Sequence, residues 1–216
     1  MPELILASQS PRRRALLAAL GLTFTIDAAN VDETPLPGER PDAMVCRLCR
    51  AKAQTVAARH PGALVLAADT VVVLEDRLLG KPADAAEAAA MLRSLAGRSH
   101  TVFTAIALAR NGAVAARLNA SQVTMRDYSE AEIAAYVASG DPLDKAGAYA
   151  IQHPSFSPVA AWTGCYAGIM GLPLRLTCEM LAEAGVAIPG RAAEVCRGLN
   201  GGGCCALDDA APANGG

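Results

Sequence analysis

The sequence has no surplus of charge in either direction: 19 Lys and Arg stand against 21 Asp and Glu, a net charge of −2. A protein that coats nucleic acid needs a cationic surface to neutralise phosphates, so no nucleic-acid partner is expected. Long apolar runs are also missing. The longest span about six residues (Ala63–Ala68, for example), against the ~20 that cross a bilayer, so no membrane partner is expected either. The opening residues Met1-Pro2-Glu3-Leu4-Ile5-Leu6-Ala7 carry no basic stretch and no long hydrophobic stretch, so no secretory signal is expected. A cytoplasmic location follows as an expectation, with the seven cysteines as reduced thiols.

Two common phosphate-binding signatures are absent as well. Neither GxxxxGK[ST] nor GxGxxG occurs, which sets aside the usual NTPase and dinucleotide folds. His60, His100 and His153 have no metal-ligand spacing. Cys46-Arg47-Leu48-Cys49 has CxxC spacing, but it lies in an amphipathic helical pattern without a preceding strand, so small buried residues explain it better than a redox pair.

What is present is apolar material for a sizeable core, 52% of 216 residues. Strand and helix signals alternate through residues 1–188. Leu4–Ala7 reads as a short buried strand, and Ser10-Pro11 opens a helix that Gly21 stops. Residues 42–58 form a second helix. Ala63–Ala68 reads as a strand ending at Asp69, with Val71–Leu74 continuing extended. Glu75-Asp76-Arg77 turns the chain, and Asp84 with Glu87 starts a helix to about Leu95. Asn111-Gly112 joins Val102–Ala109 to Ala113–Met125 as a hairpin. Ser129 with Glu132 caps another helix, Tyr149–Ile151 reads as a short strand, and Leu172–Ala184 is a last helix closed by Gly185. The class is α/β with a mixed sheet. Residues 189–216, rich in Gly and Ala and carrying Cys196, Cys204 and Cys205, read as a flexible tail.

Several residues carry chemistry. Ser8-Gln9-Ser10-Pro11-Arg12-Arg13 lies between strand and helix, where exposed N–H groups and the helix dipole attract anions. Cations at a helix start oppose that dipole, so Arg12, Arg13 and Arg14 are unfavourable there unless an anion arrives. Guanidinium groups pair bidentately with phosphate oxygens. Lys52 falls on the apolar stripe of its helix, and either snorkels to the rim of the core or aims into a site. Asp69-Thr70 follows a strongly apolar strand; an aspartate there either begins a turn, holds a divalent cation or takes a proton from water. Lys81, between Gly80 and Pro82, suits a phosphate clamp or an exposed turn. Glu33 is a loop acid that could give a metal a second carboxylate. Gln152 carries an amide that both donates and accepts, as base reading requires.

The order of these signals is distinctive. Through LILASQSPRRRALLAALGL, VDET, RLCRAKA, AADTVVVLEDRLLGKP, AAAMLRSLAGRSHTVFTAIAL, SEAEIAAYVASGDPLDKAGAYAIQ and GCYAGIMGLPL, the chain resembles the Maf (septum-formation) family of nucleoside triphosphate pyrophosphatases over about residues 3–185. It departs from the family pattern at His153-Pro154-Ser155-Phe156-Ser157-Pro158, where relatives continue with Gly. The resemblance implies an elongated, two-lobed mixed sheet with flanking helices and a central cleft, like inosine triphosphate pyrophosphatases, and a homodimer. It implies hydrolysis of a nucleoside triphosphate to the monophosphate and pyrophosphate with a divalent metal cation, Mg²⁺ or Mn²⁺. By the same resemblance, Ser8, Arg13, Lys52 and Lys81 meet the phosphates, and Glu33 and Asp69 are the acids, Asp69 as metal ligand or proton acceptor. Arg12, Thr70 and Gln152 occupy its specificity positions, and an Asp-Thr pair resembles the branch acting on dTTP and UTP. The competing expectation is a nucleotide-binding regulator of cell division with little turnover; a third is a phosphatase on another phosphorylated metabolite.

Overall fold

A computed structural model of the chain describes residues 3–200. In chain order its first half comprises β1 (Leu4–Leu6), α1 (Pro11–Ala18), β2 (Thr25–Ile26), α2 (Pro41–Arg59), β3 (Leu64–Leu74), β4 (Arg77–Leu79) and α3 (Ala85–Leu95). The second half comprises β5 (Ser99–Arg110), β6 (Ala113–Met125), α4 (Glu130–Ala138), β7 (Val159–Thr163), α5 (Tyr166–Ile169), α6 (Leu174–Glu183) and α7 (Ala192–Asn200). The strands form one open mixed sheet in the order β2-β1-β3-β5-β6-β7, with β4 folded back on the end of β3. β1 runs parallel to β2 and β3, and the remaining pairs are antiparallel.

The long strand β3 organises the molecule because its side chains alternate between two faces. Leu64, Leu66 and Ala68 enter a core with β1, α1 and α6, and further along the same face Val72 and Leu74 enter another core with α3 and α4. Thr70 lies between these two cores. On the opposite face Val65, Ala67, Val71 and Val73 pack with α2, and Asp69 interrupts that series. The polar dipeptide therefore marks the boundary between two cores on one face and interrupts a single core on the other.

Local chemistry sets the helix starts. Ser10 caps α1 by accepting from the Arg13 amide, with Pro11 at the first helical position. Ser129 and Glu132 form a reciprocal capping box on α4, and Asp84 accepts from the Glu87 amide at α3. Asn111 and Gly112 both take positive φ (52° and 80°), the conformation a two-residue hairpin needs.

The structure departs from the sequence reading at four places. Asp69 does not end a strand, because β3 runs on unbroken to Leu74 in register with β5, Asp69 opposite Ala105 and Thr70 opposite Thr104. Tyr149–Ile151 is not a strand: it leaves a short 3-10 turn (Ala146–Ala148), and Tyr149 buries its ring against His100 instead of pairing its backbone. β7, which the Pro- and Ser-containing stretch before it obscured, pairs with β6. Within the expected tail Ala192–Asn200 form α7, in which Ala192, Val195, Cys196 and Leu199 give one helical stripe that packs on the first core. Cys196 is 1% exposed. Gly190 leads into this helix so close to α1 that a Cβ there would lie 2.9 Å from the Leu20 backbone. Cys204 and Cys205 lie outside the described residues.

Candidate active site

The nine residues singled out from sequence (Ser8, Arg12, Arg13, Glu33, Lys52, Asp69, Thr70, Lys81 and Gln152) all line one cleft of about 970 Å³. Four regions distant in sequence supply them: the β1–α1 junction, the loop before α2 together with α2, the middle of β3, and the segments on either side of α3 and α4.

Lys52 is the hub of one half. Its Nζ lies 2.7 Å from Asp69 Oδ1 and 2.6 Å from Glu33 Oε1. The lysine and the aspartate side chains are only 12% and 13% exposed, whereas Glu33 is 60% exposed. Snorkelling is thereby excluded, because the ammonium turns into the cleft rather than out to bulk water. Burial works to lower the Lys52 pKa, but the Asp69 charge and the two carboxylate hydrogen bonds outweigh it and raise the value. At Glu33 burial works upward, and the Lys52 hydrogen bond and charge, with Lys81 and Arg13 beyond, bring the pKa down. Lys81 is exposed at the cleft edge, and its loop is fixed by the Gly147 amide donating to the Gly80 carbonyl at 3.0 Å.

Arg13 anchors the other half. Its Nε donates to the Gly171 carbonyl at 2.9 Å, Nη1 to Ser8 Oγ at 3.2 Å, and Nη2 to Thr70 Oγ1 at 3.1 Å. A guanidinium has five N–H donors, so three engaged here leave two for a ligand. Burial lowers the Arg13 pKa against the upward pull of Asp69. Thr70 is itself held by Thr104 Oγ1 at 3.0 Å, which donates onward to the Gly168 carbonyl at 2.8 Å. Gly171 has φ +108°, and a Cβ there would lie 3.3 Å from Arg13 Nε, so its backbone can approach the guanidinium only as glycine.

Arg12 pairs with Asp144 at 3.6 Å. Beside it stands a group that sequence reasoning missed. Lys145, 6% exposed, lines the cleft and donates to the Asp141 carbonyl and to the Asp141 and Asp144 carboxylates. Its only signal was a lysine placed one and four residues after acids in a proline-containing turn, a pattern that solvated loops share. Gln152 reaches the cleft from the segment after Tyr149, and its Nε2 donates to the Leu199 carbonyl at 2.5 Å.

The donor set suits a hard cation only in part by itself. No group of three or more His, Cys, Asp or Glu side chains that could hold a metal ion is found among the described residues. Two carboxylates, Glu33 and Asp69, converge on one ammonium. Mg²⁺ is commonly held by one or two carboxylates plus substrate phosphates rather than by a complete protein cage, so these residues fit such an ion once a phosphate is present. The thiols do not compete: burial pushes Cys49 up to about 12, and its Sγ is hydrogen-bonded to the Ala105 carbonyl. No helix among the described residues is long and apolar enough to cross a membrane.

Comparison with known proteins follows the same outline. A curated relative from Thermomicrobium roseum, named dTTP/UTP pyrophosphatase, is 54% identical over 184 residues, covering 84% of each chain. Another of that name from Myxococcus xanthus is 52% identical over 189 residues, covering 88% of this chain and 96% of its own. A solved HAM1 protein from Coxiella burnetii is 22% identical, with a TM-score of 0.40 over 58% of this chain and 73% of its own, a likeness too slight to decide anything. The family model described as Maf-like protein matches residues 3–184, and with relatives this similar over nearly the whole described chain, the protein belongs to the Maf-like family.

Proposed function

We propose that the protein is a nucleoside triphosphate pyrophosphatase that acts on dTTP and UTP, releasing the nucleoside monophosphate and pyrophosphate. The observation that carries this reading is the partly buried Lys52 ammonium bridging Asp69 and Glu33 in the cleft that also holds Arg13 and Lys81. A triphosphate brings about four negative charges, and this part of the cleft places Arg13, Lys52 and Lys81 around Asp69 and Glu33, an arrangement a core has no use for. The names of the curated relatives support the same activity and the same bases.

In this reading Arg13, clamped by Ser8, Thr70 and Gly171, presents its two remaining donors to phosphate oxygens, and Lys81 closes on the chain from the cleft edge. Water attacks the α-phosphorus, the bond from that phosphorus to the bridging oxygen breaks, and pyrophosphate leaves. Asp69 receives the water proton, while Lys52 orients the carboxylate and offsets charge on the equatorial oxygens. A divalent cation, Mg²⁺ or Mn²⁺, would be held by Glu33 and Asp69 with the phosphates; when bound it supplies further positive charge to the triphosphate. Arg12, Thr70 and Gln152 face the nucleoside end. A homodimer in the cytoplasm completes the proposal, and light scattering on the purified chain measures the first of these.

The test is a panel of nucleoside triphosphates with Mg²⁺, quantifying pyrophosphate and orthophosphate separately. Pyrophosphate from dTTP and UTP is the expected result. Orthophosphate alone would turn the assignment to a phosphatase, and tight binding without either product would turn it to a regulatory nucleotide binder.

A further inference from the structure

The helix α7 lies beyond residue 184, where the family match stops, yet its Leu199 lines a hollow beside the cleft. Its Cys196 and Leu199 pack on the first core, and its Leu199 carbonyl accepts from Gln152 Nε2 at 2.5 Å. Next to the main cleft, Ile151, Gln152, His153, Trp162, Tyr166 and Leu199 surround a second hollow of about 480 Å³, and Ile151 and Gln152 line both. Tyr166, on α5, also meets this amide: burial raises its pKa, and a hydrogen bond with the Gln152 side chain opposes the rise.

A primary amide is ambivalent, since rotating it by half a turn exchanges a donor for an acceptor. A backbone carbonyl is not ambivalent and only accepts. Whatever holds the Gln152 nitrogen toward Leu199 therefore also fixes where its oxygen points. Uracil and thymine carry a ring N–H at position 3, which needs an acceptor, whereas cytosine presents a lone pair there and needs a donor. An amide held in one orientation separates these bases, and one that rotates accommodates both.

We propose that α7 is a specificity element, its last turn positioning the Gln152 amide through the Leu199 carbonyl so that the site favours pyrimidines with a ring N–H. The inference rests on the pyrophosphatase reading and adds to it the role of a segment outside the matched family region. Gln152 is here a positioning target, and Leu199 acts through it.

The experiment compares kcat/KM for UTP and for CTP in the full chain, in Gly198→Pro and in Gly198→Ala. A Cβ at Gly198 meets nothing, so alanine leaves the turn intact, while proline removes a helical N–H and crowds the carbonyl four residues earlier. The ratio of UTP to CTP turnover is expected to fall about 3- to 10-fold in the proline variant, as the loss of one oriented hydrogen bond implies, and to stay put in the alanine variant. A change in overall stability lowers both substrates together and does not move the ratio. Chains ended after Arg197 and after Asn200 repeat the comparison without proline: the first lacks Leu199 but keeps the Cys196 anchor, and only it is expected to lose the ratio. An unchanged ratio in Gly198→Pro and in the chain ended at Arg197, with the parent active, overturns the role of α7 alone. No pyrophosphate from either nucleotide in the parent chain overturns the pyrophosphatase reading beneath it.

Discussion

Two lysines stand in the same cleft, both largely shielded from solvent and each between two acids, yet they are held in opposite ways. Lys145 is fastened by its own neighbourhood: the Asp141 carbonyl, the Asp141 carboxylate and the Asp144 carboxylate take three hydrogen bonds, the full capacity of an ammonium. Lys52 is held by partners that the fold brings from elsewhere, Glu33 from a loop and Asp69 from the middle of β3. The first arrangement closes a turn on itself and fills every donor of the ammonium locally, with Arg12 the distant partner of Asp144. The second gathers two acids and a cation whose mutual placement exists only in the folded chain, which is what a site for chemistry on a polyanion requires. Burial and partner charge alone do not separate the two; the sequence distance to the partners does.

Substitutions can break this contrast, and the largest effect is expected at Asp69. Asp69→Asn should lower pyrophosphate release by about 10²–10⁴-fold, the scale of a lost proton acceptor, while circular dichroism shows the fold retained. Unchanged turnover would remove Asp69 from the reaction. Lys52→Ala comes next, with kcat/KM for the nucleotide expected to fall by about 10²-fold; a variant that instead melts early with normal kinetics would make Lys52 the structural member of the pair. Lys145→Ala should show the converse, a loss of thermal stability of about 1–2 kcal/mol in a denaturation curve with kinetics altered far less. That figure is set below the usual cost of breaking a buried pair because Asp144 is 59% exposed.

The smallest expected effect sharpens the comparison through pH. The Glu33 pKa lies below its ordinary value in the folded chain, so its pairing stabilises the protein above the ordinary carboxylate range and is lost as pH falls through the folded value. Melting temperatures measured from pH 6 down to pH 3 should therefore drop less steeply in Glu33→Gln than in the parent. Parallel curves would show that the Glu33 contact with Lys52 contributes nothing to folding.

Much of this architecture was legible in the chain because it rests on local chemistry. Ser10-Pro11, Asp84 with Glu87, Ser129 with Glu132 and Asn111-Gly112 each fix their own backbone, and each stands where the sequence places it. The elements that escaped depend on remote packing. Tyr149 looks like a strand residue but is claimed by His100, whose Nε2 lies 2.7 Å from its hydroxyl. α7 has one short apolar stripe in a Gly- and Ala-rich context, and only the core it covers shows the stripe to be meaningful. At the site the residue identities were legible while their partnerships were not. Nothing in the sequence ties Arg13 to Gly171, or sets Lys145 beside Arg12.

The continuity of β3 through Asp69 has a consequence for timing. A carboxylate carried on a surface loop samples its working position only part of the time, and each turnover waits for it. Asp69 rides on an interior strand registered against β5 from Val65 to Val73, so its backbone amide should exchange with deuterated solvent only through rare, nearly global openings. Any rearrangement on nucleotide entry is therefore expected to leave this strand, and the acid on it, where they stand.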